Sequence, residues 1–542
     1  MHHIWGEIDR RLLIKLGTTG LAAMALPGAA LAMAAQGFTH GVASGEPGAN
    51  SILLWTRYAA PSDSSLTAEL SESADFSRIA GGGTVVAAGD RDHTAKIVVG
   101  GLQPGRWYYY RFIAPDGTKS PIGRTRTLPQ GPASAFTLAL FSCSNLPFGW
   151  FNAYGHAAAR GDIDLCVHVG DYLYEYAAGH YPEPKDALPE RLIQPSGEIV
   201  ALADYRLRYA AYRSDPDLQR LHQMFPMIAQ WDDHELANDA WKGGAENHNE
   251  GEGEWSDRVV AAERAYREWM PVADTRWRDY QIGDLATIFL PETRVTGREK
   301  QFEIDEIVAG GDTAAKLKAF AAGAYHDPAR QLLGAEQEKW LTGAIAASAK
   351  AGTRWQVLAQ QVVMGSLFTP AESANWFGPN PPEVVRRRVA EAQLAARAGL
   401  PLNMDSWDGY PAARDRLLAA AQRADANLVT LSGDSHNAWA FDLAHDKRPA
   451  GIEVGGHSVT SPGYESYTRG ISDATRVAAL RASSPQLKWA NTQDRGYVTV
   501  AFTPEKVTAD WHNVASVRAH DLKLSGSHRM TAARGRKKYD VA

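Results

Sequence analysis

Four short apolar runs in this chain end alike. Phe136 to Phe141 gives way to Ser142-Cys143-Ser144-Asn145, and Ile163 to Val169 gives way to Gly170-Asp171-Tyr172-Leu173-Tyr174. Pro226 to Gln230 is followed by Trp231-Asp232-Asp233-His234-Glu235, and Asn427 to Leu431 by Ser432-Gly433-Asp434-Ser435-His436-Asn437. An uninterrupted apolar run bounded by turn residues reads as a strand buried on both faces. Further strands are predicted at 285–290 and 354–361, and helices over 313–323, 336–350 and 385–399. This alternation, from residue 131 to 530, predicts an α/β domain of layered β-sheets flanked by helices. In an open α/β sheet, side chains released at the carboxyl ends of the strands build a site along one edge. The four tips are expected to meet there.

Residues 36–130 read differently. Short strands separated by Gly, Pro and Asp turns, among them Ser51 to Arg57, Ala95 to Val99 and Trp107 to Phe112, predict a small β-sandwich. Pro129-Gln130-Gly131-Pro132 is the natural linker. Residues 176–221 form an insertion between the second and third tips. Its segment Tyr205 to Arg213 reads either as an anion-binding wall, with Arg206 a candidate substrate contact, or as a solvated helix face. The end of the chain predicts a hairpin, Tyr497 to Phe502 with Lys506 to Trp511, then a solvated basic tail over 531–542.

The N-terminus adds a destination. Arg10-Arg11 precedes a weakly apolar Gly/Ala-rich run from Leu16 to Ala35, broken by Pro27 and offering small-x-small cleavage sites. That predicts a twin-arginine signal over residues 1–35, export to the periplasm or medium by the twin-arginine machinery, and no transmembrane anchor in the mature chain. A net charge of −6 over 542 residues leaves no general basic field, so no nucleic-acid-binding domain is expected. With only Cys143 and Cys166 there is no disulfide framework. Cys166, inside a predicted strand, reads as core.

The tips carry metal-type ligands. Asp171 is the candidate bridge between two ions. Cys143 as a thiolate and Tyr174 as a phenolate would suit a trivalent ion, Asp233 and Asp434 supply oxygen donors for a second one, and His436 supplies an imidazole. An ion of the Ca²⁺ or Mg²⁺ type prefers such oxygens. His234, beside Asp233, is placed to stabilise phosphoryl oxygens or to protonate a leaving group. Two adjacent cations clamped by a shared carboxylate are suited to phosphate-ester hydrolysis.

The same residues carry a family resemblance. Gly41-Val42-Ala43-Ser44-Gly45, Leu54-Trp55-Thr56-Arg57, Phe141-Ser142-Cys143, Gly170 to Tyr174, Trp231 to Glu235, Asp405 to Tyr410, Gly433 to His436 and Ser458 to Gly463 together resemble the PhoD-type alkaline phosphatase/phosphodiesterase family of the metallophosphoesterases. The resemblance implies a fibronectin-like N-terminal domain, an Fe³⁺ and Ca²⁺ site, and hydrolysis of phosphomonoesters and phosphodiesters at alkaline pH through a metal-bound hydroxide. It implies that Cys143, Asp171 and Tyr174 hold iron, and that Asp233, Asp434 and His436 complete the metal positions. Asn238 would be a further calcium or substrate contact, and Arg294 an ion-pair or phosphate contact. Two departures stand out: Glu46 and Glu292 occupy positions where the family usually has Asp. Two alternatives remain. One is a phospholipase D-like diesterase with a lipid substrate, its pocket lined by Trp376, Phe377 and loop 240–256. The other is a non-catalytic binding protein of the cell envelope.

Overall fold

The computed structural model describes residues 36–468 and 470–540. The expected export segment, residues 1–35, lies outside them. The first seven strands are β1 (Gly37–Gly45), β2 (Ile52–Ala59), β3 (Ser64–Ser71), β4 (Ile79–Ala87), β5 (Thr94–Val99), β6 (Trp107–Ile113) and β7 (Gly123–Arg126). They form a sandwich with its own core. Leu54 and Val99 pack from one side, Leu66, Leu70, Tyr110 and Phe112 from the other. The four strands β4-β3-β6-β7 are a separate sheet, whereas β1, β2 and β5 continue the central one. The join is parallel pairing of Ser44 with Pro226 and Gly45 with Met227. The linker near residue 130 therefore divides the chain but not the sheet.

Beyond it run β8 (Phe136–Phe141), β9 (Leu165–His168) and β10 (Pro226–Ala229), parallel neighbours in a nine-stranded sheet. A second sheet of seven strands holds β11 (Arg278–Ile282), β12 (Ala286–Leu290), β13 (Trp355–Ala359), β14 (Leu428–Ser432), β15 (Ala438–His445), β16 (Arg448–Gly455) and β17 (Leu487–Asn491). Three strands close the first sheet's other edge: β18 (Gly496–Phe502), β19 (Lys506–Val514) and β20 (Leu524–Ala533).

Alternation along each strand decides the layering. Leu138, Leu140, Val167 and Ile228 of the first sheet meet Ile288, Val357, Val429 and Val454 of the second. The intervening residues Ala139, Phe141, Cys166 and Met227 face away, onto a helical layer carrying Tyr209, Leu218 and Trp269. Phe289, Leu358 and Leu428 likewise face Leu341, Ile345 and Leu417 of the outer helices. The result is helix, sheet, sheet, helix. Every strand that delivers a tip is buried on both faces, which is why each reads as an unbroken apolar run. Truncating one of these interior leucines to alanine would cost about 2–5 kcal/mol.

Two expectations change. The four tips do not share one sheet edge: three belong to the first sheet and the fourth, β14, to the second. The basic tail does not stand free either. Strand β20 runs past residue 531, and Tyr539 is buried, its hydroxyl donating to the Glu453 carbonyl at 2.8 Å. Its aromatic body outweighs the charges around it.

Candidate metal centre

Each tip turns sharply as its strand ends. Cys143, Asp171, Asp434 and His436 all adopt left-handed backbone, with φ between 55° and 61°. For non-glycine residues such conformations cost on the order of 1 kcal/mol each and persist only where the surroundings impose them. Glycines make the close approaches. A Cβ on Gly170, itself at φ 102°, would lie 2.3 Å from the Asp232 Cβ, and one on Gly433 would lie 2.5 Å from the Ser142 Cβ. The first contact locks neighbouring tips of one sheet, and the second seats the other sheet's tip against them. Glu235 ties the assembly from within. Its carboxylate accepts the backbone N–H groups of Asp171, Tyr172 and Asp232 at 3.1, 2.6 and 2.8 Å.

The ligand-type atoms fall into three overlapping groups: Cys143, Asp171 and His436; Asp171, Asp233 and His234; Asp232, Asp233 and Asp434. Within each group they lie within 4.8 Å of one another. Asp171 is common to the first two and Asp233 to the last two. Tyr174 joins at the centre. Its hydroxyl donates to Asp171 Oδ2 at 3.1 Å, accepts from Ser461 Oγ at 2.7 Å and lies 3.1 Å from His436 Nε2. His436 places Nδ1 2.9 Å from the Pro462 carbonyl, which can only accept, so the neutral ring offers its Nε2 lone pair to the site. Burial keeps that ring neutral, its pKa lowered to about 3.

The electrostatics call for cations. Burial, reinforced by neighbouring carboxylates, pushes Asp171 and Asp434 well above the ordinary carboxyl range and Asp232 to about 7. Burial and then Asp171 raise the Cys143 thiol, and the Tyr174 phenol rises for the same reasons. Asp171 Oδ1 and Asp232 Oδ2 are buried without a hydrogen-bond partner. So many buried, mutually repelling anionic donors fit positive ions, which would hold them deprotonated.

Around this core stand residues that orient it. Burial alone would lower the His234 pKa, but Glu175, Asp233 and Asp171 hold it well above its usual value. Its Nδ1 lies 2.7 Å from Glu175 Oε2, so the imidazolium is aimed by that carboxylate. Arg294, fully buried, donates through Nε to Asp232 and through Nη1 to both Asp405 oxygens at 2.9 Å. Its Nη2 lies 3.3 Å from Asp434 and 3.7 Å from Asp233. Arg294 therefore neutralises and spaces the acidic cluster, and the ion-pair alternative describes it. Glu292 has a backbone role. It accepts Trp231 Nε1 at 3.0 Å and the N–H groups of Arg294, Val295 and Thr296 at 2.6, 3.0 and 2.7 Å. Glu46 pairs with Arg278 at 2.9 Å.

Other candidates fall outside the cluster. Arg206 is held by Glu268 at 2.6 and 2.7 Å and by the Asp90 carbonyl, away from the tips. The reason is helical phase: Tyr205, Arg208, Tyr209 and Tyr212 face inward on the helix Leu202–Arg213, and Arg206 does not. Asn238 gives its side-chain amide to Glu246 at 3.2 Å and its backbone N–H to Glu175. Trp376 packs into the outer core of the second sheet. Asp232, Glu235 and Asp405 lie in the quoted motifs and Arg208 in the segment Tyr205 to Arg213, but the sequence gives none of them, nor Glu175, an individual role. Glu175 and Glu235 directly follow predicted site residues, which was the available signal. Arg208 clamps the Tyr174 loop by donating to its carbonyl, a partnership no spacing announces. Beside the centre opens a cavity of about 600 Å³ lined by Tyr181, Thr460, Pro462, Glu465 and Arg495, among others.

A PhoD-like phosphatase model matches residues 138–511, and the model of that family's N-terminal domain matches residues 23–129. The chain belongs to the PhoD-like phosphatase family. Membership makes it a phosphoric ester hydrolase, as the motifs implied. Alkaline phosphatase D of Bacillus subtilis (strain 168) is 32% identical over 501 residues, covering 88% of this chain and 77% of that relative. A solved structure of PhoD superposes with a TM-score of 0.77 at 29% identity, covering 93% of this chain and 92% of that one. The resemblance and the layered α/β fold with its N-terminal β-domain stand on these matches. Among the described residues, no helix is long and apolar enough to cross a membrane.

Proposed function

We propose that this PhoD-like phosphatase is an exported, alkaline phosphatase D-like enzyme that hydrolyses phosphomonoesters and phosphodiesters with bound Fe³⁺ and Ca²⁺. The observation that carries the reading is the sharing of Asp171 and Asp233 among three adjoining groups of ligand atoms. In this reading Cys143, Asp171 and Tyr174 hold the trivalent ion, whose demand for hard anionic donors matches carboxylate and phenolate. Asp233 and Asp434 hold the second position, where other divalent ions would also fit, and His436, grouped with Cys143 and Asp171, stands on the side of the first. The ions, when bound, would neutralise phosphoryl oxygens and activate the attacking water.

The chain's own groups do the rest. Glu175 fixes the imidazolium of His234, which donates a hydrogen bond to a phosphoryl oxygen and a proton to the departing alkoxide. Arg294 stands between Asp232 and Asp434 and opposes the upward push that burial gives both carboxyls. The cavity beside Tyr174 and Pro462 accepts the alcohol portion of the ester. Its size, about 600 Å³, exceeds what a simple monoester needs and favours diesters, including lipid headgroup esters, as substrates. Loss of ligand groups would mark a binding protein without activity, and the principal positions are all filled. Arg10-Arg11 and the apolar run after them support export through the twin-arginine route.

Metal analysis of protein purified without added metal, combined with rates on a panel of mono- and diesters, tests the reading. Bound iron and calcium, with turnover lost on chelation, are the expected results. Full turnover of metal-free protein would refute it.

A further inference from the structure

Buried arginines in this protein have an answer to their charge, with one exception. Arg191 pairs with Asp215, Arg258 with Glu198 and Glu252, Arg298 with Asp405, Arg476 with Asp473 and Arg495 with Glu465. Arg208 has no carboxylate but donates to the carbonyl oxygens of Tyr174, Tyr176, Gln194, Pro195 and Gly197. Arg213, the last residue of the helix Leu202–Arg213, is fully buried, yet none of its three guanidinium nitrogens has a hydrogen-bond partner. Among the described residues it forms no ion pair. The Trp55 ring centroid lies 4.1 Å from the guanidinium carbon, and the Tyr172 hydroxyl stands close by.

A guanidinium keeps its proton in a protein, so this charge cannot be shed. Buried charge without a counter-charge is strongly unfavourable, and the face of one aromatic ring offsets only part of that. The groups that Arg213 bears on are themselves neutral. Its field bears on the Tyr110 phenol, the Tyr172 phenol and the imidazoles of His40 and His222. The Tyr172 hydroxyl is engaged with His222 Nε2 at 2.8 Å, which leaves His222 Nδ1 buried without a partner. The Tyr110 hydroxyl is buried with only the Ser44 hydroxyl beside it to engage, and neither has a well-aligned hydrogen bond. Tyr110 and Ser44 come from the N-terminal sandwich, Arg213 and His222 from helices of the catalytic half. Such a setting is rich in groups able to donate, and among the described residues it brings no carboxylate within ion-pairing distance of Arg213. Water would satisfy the donors but leave the positive charge standing, whereas a small anion answers both.

We propose that Arg213, together with Tyr110, Ser44 and His222, encloses a monovalent anion of the halide class at the junction between the sandwich and the catalytic half. Tyr172 directly follows Asp171 and packs against the same histidine, so the anion shores up a catalytic strand tip from behind. Its effect is on stability and not on the chemical step.

The test uses the full chain with its metals, dialysed from chloride into gluconate at matched ionic strength. Chloride or bromide is expected to raise the thermal midpoint by about 2 °C or more, saturating with concentration. Crystals grown in bromide are expected to show anomalous density against the Arg213 guanidinium. Arg213→Met should abolish the difference between halide and gluconate. Tyr110→Phe, which retains the charge, should move the response to higher halide concentration and serves if the arginine variant does not fold. Equal midpoints in all salts, ordered water in place of bromide, or a halide response unchanged in the variants would overturn the proposal.

Discussion

The two sheets contribute to the centre in different ways. The nine-stranded sheet presents Cys143, Asp171 and Asp233 from the ends of β8, β9 and β10, adjacent parallel strands. Parallel pairing alone brings those three tips side by side, and Glu235 then fixes them through backbone N–H groups. The seven-stranded sheet contributes Asp434 and His436 from β14, which no strand ladder connects to the first three. Their placement depends on how the two sheets stack and on contacts crossing between them: Gly433 against Ser142, Tyr174 against His436, and Arg294 reaching Asp232 on one side and Asp434 on the other. Half of the centre is thus built by secondary structure and half by packing. Damage to the first half should strike ligation directly, whereas damage to the second should first appear as lost stability.

The sharpest break is Asp171→Asn, which removes the carboxylate common to two ligand groups. Turnover of a nitrophenyl phosphate should fall by at least about 10³-fold, with bound metal reduced on elemental analysis. Arg294→Met should follow, because it leaves Asp232 and Asp434 buried without their counter-charge and Asp405 with Arg298 alone. Denaturant titration of the metal-free protein should show a loss of about 3–5 kcal/mol. Gly433→Ala probes the stacking alone. Its Cβ would overlap Ser142, and a cost of about 1–3 kcal/mol is expected, with metal affinity weakened more at the Asp434 side than at the Cys143 side.

Glu175→Gln affects the proton inventory. The carboxylate holds the His234 pKa up, so its removal lowers that pKa. The protonated fraction then disappears at lower pH, and the alkaline limb of the rate profile should move in the acid direction. The rate on a substrate with a poor leaving group should drop about 10-fold or more. An unmoved limb would show that another group supplies the proton. The smallest effect belongs to Arg206→Met. With its partner Glu268 remote from the tips, kcat/KM should stay within about 2-fold of the parent, and stability within about 1 kcal/mol.

What could be read from the chain follows the same division. The strands that deliver the tips are legible because double burial makes them continuous apolar runs, and β8 occupies the very residues its pattern marks out. The helix expected over 313–323 spans Thr313–Ala322, and that over 336–350 spans Ala335–Lys350. For Arg206 the sequence leaves two readings open, because an arginine pattern does not state which face of its helix meets the core, and the structure places it against Glu268. The stray strand β20 and the buried Tyr539 were missed because their partners lie elsewhere in the chain.

By itself, the sequence determined the local grammar: apolar strands, turn residues after them, and metal-type donors at the turns, all set by interactions between near neighbours. The tertiary structure alone decided which sheet each tip joins and which carboxylates share an ion. It also decided that Arg294 balances the cluster while Arg213 stands without a counter-charge among the described residues. Those outcomes depend on charges and side chains separated by as many as 287 positions, brought within a few ångströms only when two hydrophobic sheet faces exclude water between them.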